Sequence, residues 1–116
     1  GNIEEFWSSN GFLQYLTVEY GGLLVMAEER YYGKSMPTHP TIQDNLLTTQ
    51  QVLEDYVELL QFLKREYMAE KCPTIAVGGS YGGTLSAYLR LVYPTAVQGA
   101  LAASSELGYY DLGGWE

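Results

Sequence analysis

The sequence predicts an α/β fold built on a parallel β-sheet. Three short apolar runs without polar alternation, residues 22–27, 73–78 and 97–103, are typical of strands covered on both faces. Segments with helical periodicity separate these runs, so the predicted order is strand, helix, strand, helix, strand. Right-handed crossovers between parallel strands produce this order. The 116 residues are enough for one small domain.

The first segment, residues 3–20, is predicted to form two short helices. Asn10 and Gly11 interrupt its helical pattern, whose apolar members are Phe6, Trp7, Phe12, Leu13 and Leu16. The run at 22–27 then predicts the first strand. A loop is expected from Glu28 to Pro40, because Gly33, Pro37 and Pro40 punctuate it.

The clearest helix is predicted over residues 47–70. Thr48 and Gln51 have the spacing of a capping box at its start. One face repeats with a period near 3.6 residues and carries Val52, Leu53, Tyr56, Val57, Leu60, Leu63 and Tyr67. We interpret this helix as scaffold and assign it no chemistry.

A Gly-Gly-Ser-Tyr-Gly-Gly sequence at 78–83 follows the second predicted strand. A helix is predicted after it, from Thr84 to Tyr93, where Pro94 ends it. A G-x-S-x-G sequence between a strand and a helix is typical of a nucleophile elbow, in which a tight turn lifts the serine hydroxyl out of the backbone. Ser80 is therefore the candidate nucleophile. Close packing of strand and helix further predicts that side chains at Gly78 and Gly82 would clash.

The chemistry of such a serine needs a base, usually a histidine oriented by a carboxylate. The backbone amide of Tyr81 is the expected first oxyanion donor, worth roughly 3 kcal/mol of transition-state stabilisation. A phosphate-binding loop would require Lys followed by Ser or Thr, and a dinucleotide site would require G-x-G-x-x-G; the glycines at 78–83 fit neither pattern.

Composition excludes several function classes. The formal charge is −8, from 14 acidic and 6 basic residues, which argues against nucleic-acid binding. Because no run of about 18 apolar residues occurs, we expect no membrane span, and no signal peptide is recognised. No spacing of Cys, His and carboxylates indicates a metal, and no cofactor is expected. The single cysteine, Cys72, is predicted to be a buried, inert thiol.

Three stretches of the chain carry distinctive motifs: residues 27–37 read AEERYYGKSMP, residues 78–83 read GGSYGG, and Tyr93-Pro94 is followed by GALAAS at 99–104. Together they resemble one family of serine peptidases, which includes lysosomal Pro-Xaa carboxypeptidase, dipeptidyl-peptidase II and thymus-specific serine protease. The first stretch resembles the family's E-H-R-Y-Y-G-x-S-x-P segment, the second its G-G-S-Y-G-G elbow, and the third the stretch that follows the elbow. Residues 1–4 are similar to the end of the family's G-N-E-G-D-I motif.

The resemblance implies an α/β-hydrolase core, of which residues 1–116 would be the N-terminal part, with a helical cap inserted after this segment. It implies that Ser80 is the nucleophile, that Tyr81 supplies an oxyanion amide, and that the triad Asp and His follow the cap. The implied activity is cleavage of peptides after proline or small residues near a terminus, in lysosomes or vacuoles or after secretion. The resemblance is also compatible with a homodimer of the full-length protein.

Two departures from the family pattern concern the site. Glu29 stands where the family usually has His, which we do not expect to affect catalysis. Ser105-Glu106 replaces a common Ala-Pro at the mouth of the site, which leaves the subsites, and the choice between carboxypeptidase and dipeptidyl-peptidase, open.

Other polar residues have simpler interpretations. His39 is the only histidine, but it precedes Ser80, whereas a hydrolase histidine comes last, so we interpret it as a loop residue. Asp111 is interpreted as a solvated loop aspartate.

Glu28, Glu29 and Arg30 end a predicted strand, where functional residues gather. Arg30 is expected to brace the loop by pairing with a carboxylate. Tyr31 and Tyr32 are expected to pack.

Two rival functions remain open at this stage: an esterase or lipase of the same fold, and a non-catalytic hydrolase-like interaction protein. We also expect the isolated 116-residue piece to be inactive and poorly folded, because its apolar strand edges would lack neighbours.

Overall fold

The computed structural model describes residues 2–36 and 48–107. The chain divides into two compact units, Gly1–Leu47 and Thr48–Glu116, and each is described by itself.

The first unit begins with two short helices, α1 (Ile3–Ser9) and α2 (Gly11–Glu19), as predicted. The side chain of Asn2 caps α1 by accepting a hydrogen bond from the Glu4 amide at 2.8 Å. After α2, Gly21 has a φ of 60°, and the Gly22 amide bonds back to the Thr17 carbonyl at 2.8 Å. This left-handed glycine ends the helix in the manner of a Schellman motif.

The strand predicted at 22–27 is wrong for this structure. Residues 22–29 have no regular secondary structure, and Leu23 and Val25 are exposed. The apolar run met the requirement for a buried strand, but a strand also needs a neighbour that satisfies its backbone groups. Among the described residues, the sheet has only two strands, and neither pairs with this run.

The second unit confirms the α/β fold. It contains α3 (Thr49–Glu66), β1 (Ile75–Gly79), α4 (Tyr81–Val92) and β2 (Gly99–Ala103). The two strands are parallel, and their register pairs Ile75 with Gly99 and Gly79 with Ala103. Helix α4 connects them and contacts both. Their carboxyl ends therefore lie side by side at one edge, which is where α/β sheets place their sites.

Helix α3 has the predicted capping box. The Thr48 hydroxyl accepts from the Gln51 amide at 3.2 Å, and the Gln51 side chain accepts from the Thr48 amide at 3.2 Å. The helix ends at Glu66 rather than near residue 70, because Met68 adopts a φ of 51° and the Ala69 amide bonds to the Lys64 carbonyl at 2.7 Å. This Schellman-type ending has a methionine at the position where glycine is usual, so the sequence did not predict where the helix ends.

The core of the second unit lies between α3, α4 and one face of the sheet. Its buried members are Val52, Leu53, Leu85, Leu89 and Val97, and the α3 residues Tyr56, Val57 and Leu60 pack against them. The opposite face of the sheet is uncovered, with Ile75, Val77 and Leu101 at 60%, 41% and 50% exposure. The prediction of strands covered on both faces thus holds for one face only, the face against which α4 packs.

Cys72 is exposed, which corrects the prediction of a buried thiol. It lies in the turn between α3 and β1, where its amide donates to Ala69 O and its carbonyl accepts from Lys64 Nζ. Since the residue precedes the strand rather than joining it, its side chain does not enter the core. In residues 2–36 and 48–107, no helix is both long and apolar enough to span a membrane.

Candidate active site

Ser80 occupies the single residue between β1 and α4. Its backbone has φ 54° and ψ −125°, a combination that is costly for a residue with a Cβ, by about 1–3 kcal/mol. Two backbone hydrogen bonds hold it there: its amide donates to Ala103 O of β2 at 3.0 Å, and its carbonyl accepts from the Thr84 amide at 3.1 Å. The strand–turn–helix context predicted from the glycine-rich sequence is therefore present, and the strained residue in it is the serine.

The glycines around Ser80 allow α4 to lie against the sheet. A Cβ on Gly78 would collide with the carbonyl group of Gly82 and would lie 2.7 Å from Ser86 Oγ. A Cβ on Gly83 would lie 2.8 Å from Ala103 O. A Cβ on Gly82 would meet no described atom within 4 Å outside its own turn, so the predicted clash at Gly82 is wrong and the second crowded glycine is Gly83. Gly82 thus has open space at its Cβ position, and it is its carbonyl that enters the crowded contact with Gly78.

The hydroxyl of Ser80 is exposed and is not used to cap the helix. Serine at an N-cap usually accepts a hydrogen bond from the first turn, but within the described part of the chain Ser80 makes no such side-chain bond. Tyr81 is the first residue of α4. The amides of a first turn lack partners inside the helix and carry its positive dipole end. The Ser80 hydroxyl and the Tyr81 amide thus lie next to each other at a helix start, the arrangement that an oxyanion-forming reaction requires.

The chain after β2 returns to the same place, where the resemblance put Ser105-Glu106, but the contact that holds it there was not predicted. Ser104 has a φ of 49°, and two residues later the Glu106 amide donates to the hydroxyl of Thr84 at 3.1 Å. Thr84 is buried, with 2% exposure, in the first turns of α4. A threonine four residues after the serine was the available sequence signal. Nothing in the sequence indicates which backbone amide would donate a hydrogen bond to its hydroxyl.

A second polar arrangement lies in the first unit, within residues 28–35. One carboxylate oxygen of Glu28 accepts three hydrogen bonds, from the Lys34 amide at 2.9 Å, the Ser35 amide at 3.0 Å and Ser35 Oγ at 2.9 Å. The hydrogen bond from the Ser35 hydroxyl is the main cause that lowers the pKa of Glu28. Gly33 has a φ of 52°, and any Cβ there would collide with the Glu28 carboxylate. We interpret Glu28 as the brace of this loop, a role that was predicted for Arg30.

The other candidates of this loop have less specific surroundings. Burial raises the pKa of Glu29. Tyr31 is half-buried and has a φ of 68°, whereas Tyr32 is 54% exposed, so the expected aromatic packing is not observed for Tyr32. Arg30 is half-buried, and the carboxylate partner expected for it stays a prediction.

His39 and Asp111 lie outside the described residues. Within those that are described, no group of three or more His, Cys, Asp and Glu side chains could hold a metal ion. The arrangement at the elbow therefore consists of a serine hydroxyl, backbone amides of a helix start, and the loop fastened by Thr84.

Comparison with known proteins agrees with this geometry. The family model of serine carboxypeptidase S28 matches residues 1–110. The lysosomal Pro-X carboxypeptidases of Pongo abelii and Homo sapiens are each 44% identical to the chain, over 96% of its length and 24% of theirs. The prolyl carboxy peptidase like protein 5 of Caenorhabditis elegans is 39% identical, over 95% of this chain and 23% of its own.

The chain spans about a quarter of the length of the curated relatives it matches. The match nevertheless includes the elbow, the loop at 28–35 and the stretch after β2. The fold is α/β, with the strand–turn–helix that the resemblance implied. From these matches we conclude that the chain belongs to the serine carboxypeptidase S28 family.

Proposed function

We propose that this chain carries the nucleophile of a serine peptidase and that Ser80 is this nucleophile. The observation that carries the proposal is the backbone of Ser80, a strained non-glycine residue between a strand and a helix, whose hydroxyl is exposed and makes no capping bond in the described residues. Strain at a single residue of this kind is retained where surrounding structure holds it in place, commonly at functional sites. Membership of a serine carboxypeptidase family supports the same role.

The proposed reaction follows from the groups at the elbow. Ser80 Oγ attacks the carbonyl carbon of a peptide bond while a base takes its proton. The oxygen of that carbonyl becomes an oxyanion, to which the Tyr81 amide donates a hydrogen bond. When the C–N bond breaks, the base returns the proton to the leaving amine, and an acyl-enzyme remains on Ser80. Water then attacks the ester and regenerates the hydroxyl. The base and its carboxylate are proposed to lie outside these 116 residues, after the elbow in the chain.

The substrate class is taken from the names of the relatives. Those relatives are called Pro-X carboxypeptidases, and we propose that the full-length protein cleaves bonds after proline near a peptide terminus. We likewise propose a lysosomal setting for it, because the same relatives are called lysosomal.

The test is covalent labelling of the full-length protein with a fluorophosphonate, followed by mapping of the adduct. We expect one labelled serine, Ser80, and loss of both labelling and peptide cleavage in Ser80→Ala. Ser8→Ala is a matched control, since Ser8 is an exposed serine on α1 whose hydroxyl bonds only to Glu5 O in the described structure. An adduct on any other serine would refute the nucleophile assignment.

Substrate assays separate the rival functions. We expect cleavage of peptides that end in Pro-X and none of the corresponding peptides with the proline replaced. A protein that is labelled at Ser80 but hydrolyses only carboxylic esters would be an esterase. A protein that is not labelled at all, although folded, would be a non-catalytic member of the family.

A further inference from the structure

Glu106 occupies a fixed position at the carboxyl edge of the sheet, beside the elbow. The register of β1 and β2 pairs Gly79 with Ala103, so Ser80 and Ser104 are the residues that leave the two neighbouring strands at the same edge. The amide of Ser80 also donates to the carbonyl of Ala103 at 3.0 Å, which joins the two strand ends directly. The turn at Ser104, with a φ of 49°, then leads to Glu106.

Two consecutive hydrogen bonds connect the backbone of Glu106 to that of Ser80. The Glu106 amide donates to Thr84 Oγ1 at 3.1 Å, and the Thr84 amide donates to the Ser80 carbonyl at 3.1 Å. Thr84 is 2% exposed, and a buried hydroxyl bonded in this way is costly to unpair. The segment 104–106 is therefore fastened to the same turn of α4 that begins at the nucleophile.

Glu106 itself is exposed, in contrast to the threonine that holds its backbone. Its carboxylate adds negative charge at the edge of the sheet that carries Ser80. Solvent reaches this residue, and its backbone is joined through Thr84 to the turn that begins at Ser80. An opposite charge on that peptide would be attracted to the carboxylate, and a like charge would be repelled.

We propose that Glu106 is a specificity-determining residue, which favours peptide substrates carrying a positive charge close to the scissile bond, and that Thr84 is the positioning residue that holds it in place. The inference rests on the proposed function, because it concerns the substrate of the Ser80 nucleophile. The cationic group recognised is an amine or guanidinium of the peptide, from its free N-terminus or from a lysine or arginine side chain.

The test compares kcat/KM of the full-length protein for a set of Pro-X peptides of equal length. The peptides differ in one flanking position, which carries lysine, glutamine or glutamate, and each is made with a free and with an acetylated N-terminus. Glu106→Gln keeps the size of the side chain and removes its charge. We expect it to reduce kcat/KM for cationic peptides by about three- to fivefold, the effect of one partly solvated charge pair, and to leave neutral peptides unchanged. Comparison of the free and acetylated peptides shows whether Glu106 recognises the N-terminal amine, and comparison of the flanking residues shows whether it recognises a side chain.

Thr84 provides an independent variant. Thr84→Val removes the acceptor of the Glu106 amide and is expected to reduce the preference for cationic peptides as Glu106→Gln does, whereas Thr84→Ser retains the hydroxyl and the preference. Should Thr84→Val fail to fold, Glu106→Gln still decides the question, because that residue is exposed.

The outcomes distinguish this inference from the proposed function. Labelling at Ser80 combined with an unchanged charge preference in Glu106→Gln refutes the specificity role alone. An equal loss of kcat/KM for cationic, neutral and anionic peptides also refutes it, because that result indicates a structural role. A parent protein that is neither labelled at Ser80 nor active on peptides refutes the proposed function, and this inference with it.

Discussion

Replacing Gly78 by alanine should be far more damaging than replacing Gly82, although both glycines belong to the same G-x-S-x-G sequence. An added Cβ at Gly78 would overlap the carbonyl carbon and oxygen of Gly82 and would lie 2.7 Å from the Ser86 hydroxyl. The obstructing carbonyl is part of the backbone of α4, so it cannot rotate away as a side chain could. The overlap can be relieved only if α4 moves away from β1.

The magnitude follows from these contacts. Overpacking of a well-packed site costs about 1–3 kcal/mol, and a collision with backbone belongs at the upper end of that range. The Ser86 hydroxyl donates to the Gly82 carbonyl at 2.8 Å, and displacing this bond would add about 1 kcal/mol. Gly82→Ala meets open space and places alanine in a helix, where it is favoured over glycine by about 0.5–1 kcal/mol. The two variants should therefore differ by about 4.5–5 kcal/mol in the free energy of unfolding.

The assay is urea unfolding of the full-length protein and of the two variants, followed by circular dichroism and tryptophan fluorescence. We expect a lower midpoint for Gly78→Ala, and an unchanged or slightly higher midpoint for Gly82→Ala. If Gly78→Ala unfolds at the parental midpoint, or if both variants are destabilised equally, the close packing of helix on strand described here is incorrect.

Three further predictions concern residues outside the elbow. Thr48→Ala should lower the free energy of unfolding by about 1 kcal/mol, measured by urea unfolding, whereas Thr48→Ser should retain the capping box; equal losses in the two would contradict the cap. Glu28→Gln should destabilise the protein at neutral pH. Because hydrogen bonds lower the pKa of Glu28 in the folded state below its ordinary 4.5, its stabilising effect is present above pH 4.5 and is lost as the pH falls through the folded value. Thermal midpoints of parent and variant should therefore converge in acid, and a gap independent of pH would argue against the carboxylate brace. Cys72 should react with a thiol reagent in the native protein, with the adduct mapped to that residue; reaction only after denaturation would contradict its exposure.

Local sequence patterns predicted the elements whose causes are local. The capping box at Thr48 and Gln51, the break at Asn10 and Gly11, and the stop at Pro94 all act within a few residues, and each is present. The elbow was predictable for the same reason, since glycines on both sides of a serine between a strand and a helix leave few backbone alternatives. The run at 22–27 was not, because its conformation depends on a pairing partner that the described residues do not provide.

Side-chain contacts that no local sequence pattern specifies were not predicted in either unit. Nothing in composition indicates that Glu28 would bond to Lys34 and Ser35, or that Thr84 would hold the backbone of Glu106. Gly82 and Gly83 are chemically identical, and only the approach of β2 decides that Gly83 is the crowded one. Cys72 was also not predictable, because β1 begins only at Ile75 and leaves the cysteine in the preceding turn.

The sequence by itself determined the α/β class of this chain, its family, and the serine that lies at the turn, because hydrophobic periodicity and glycine spacing act through the local backbone. Only the tertiary structure decided which glycine is crowded, which face of the sheet is covered, and which loop is fastened beside Ser80. Those features arise when β1 and β2 come into register and α4 packs across them, and such contacts between distant residues leave no regular spacing in the sequence.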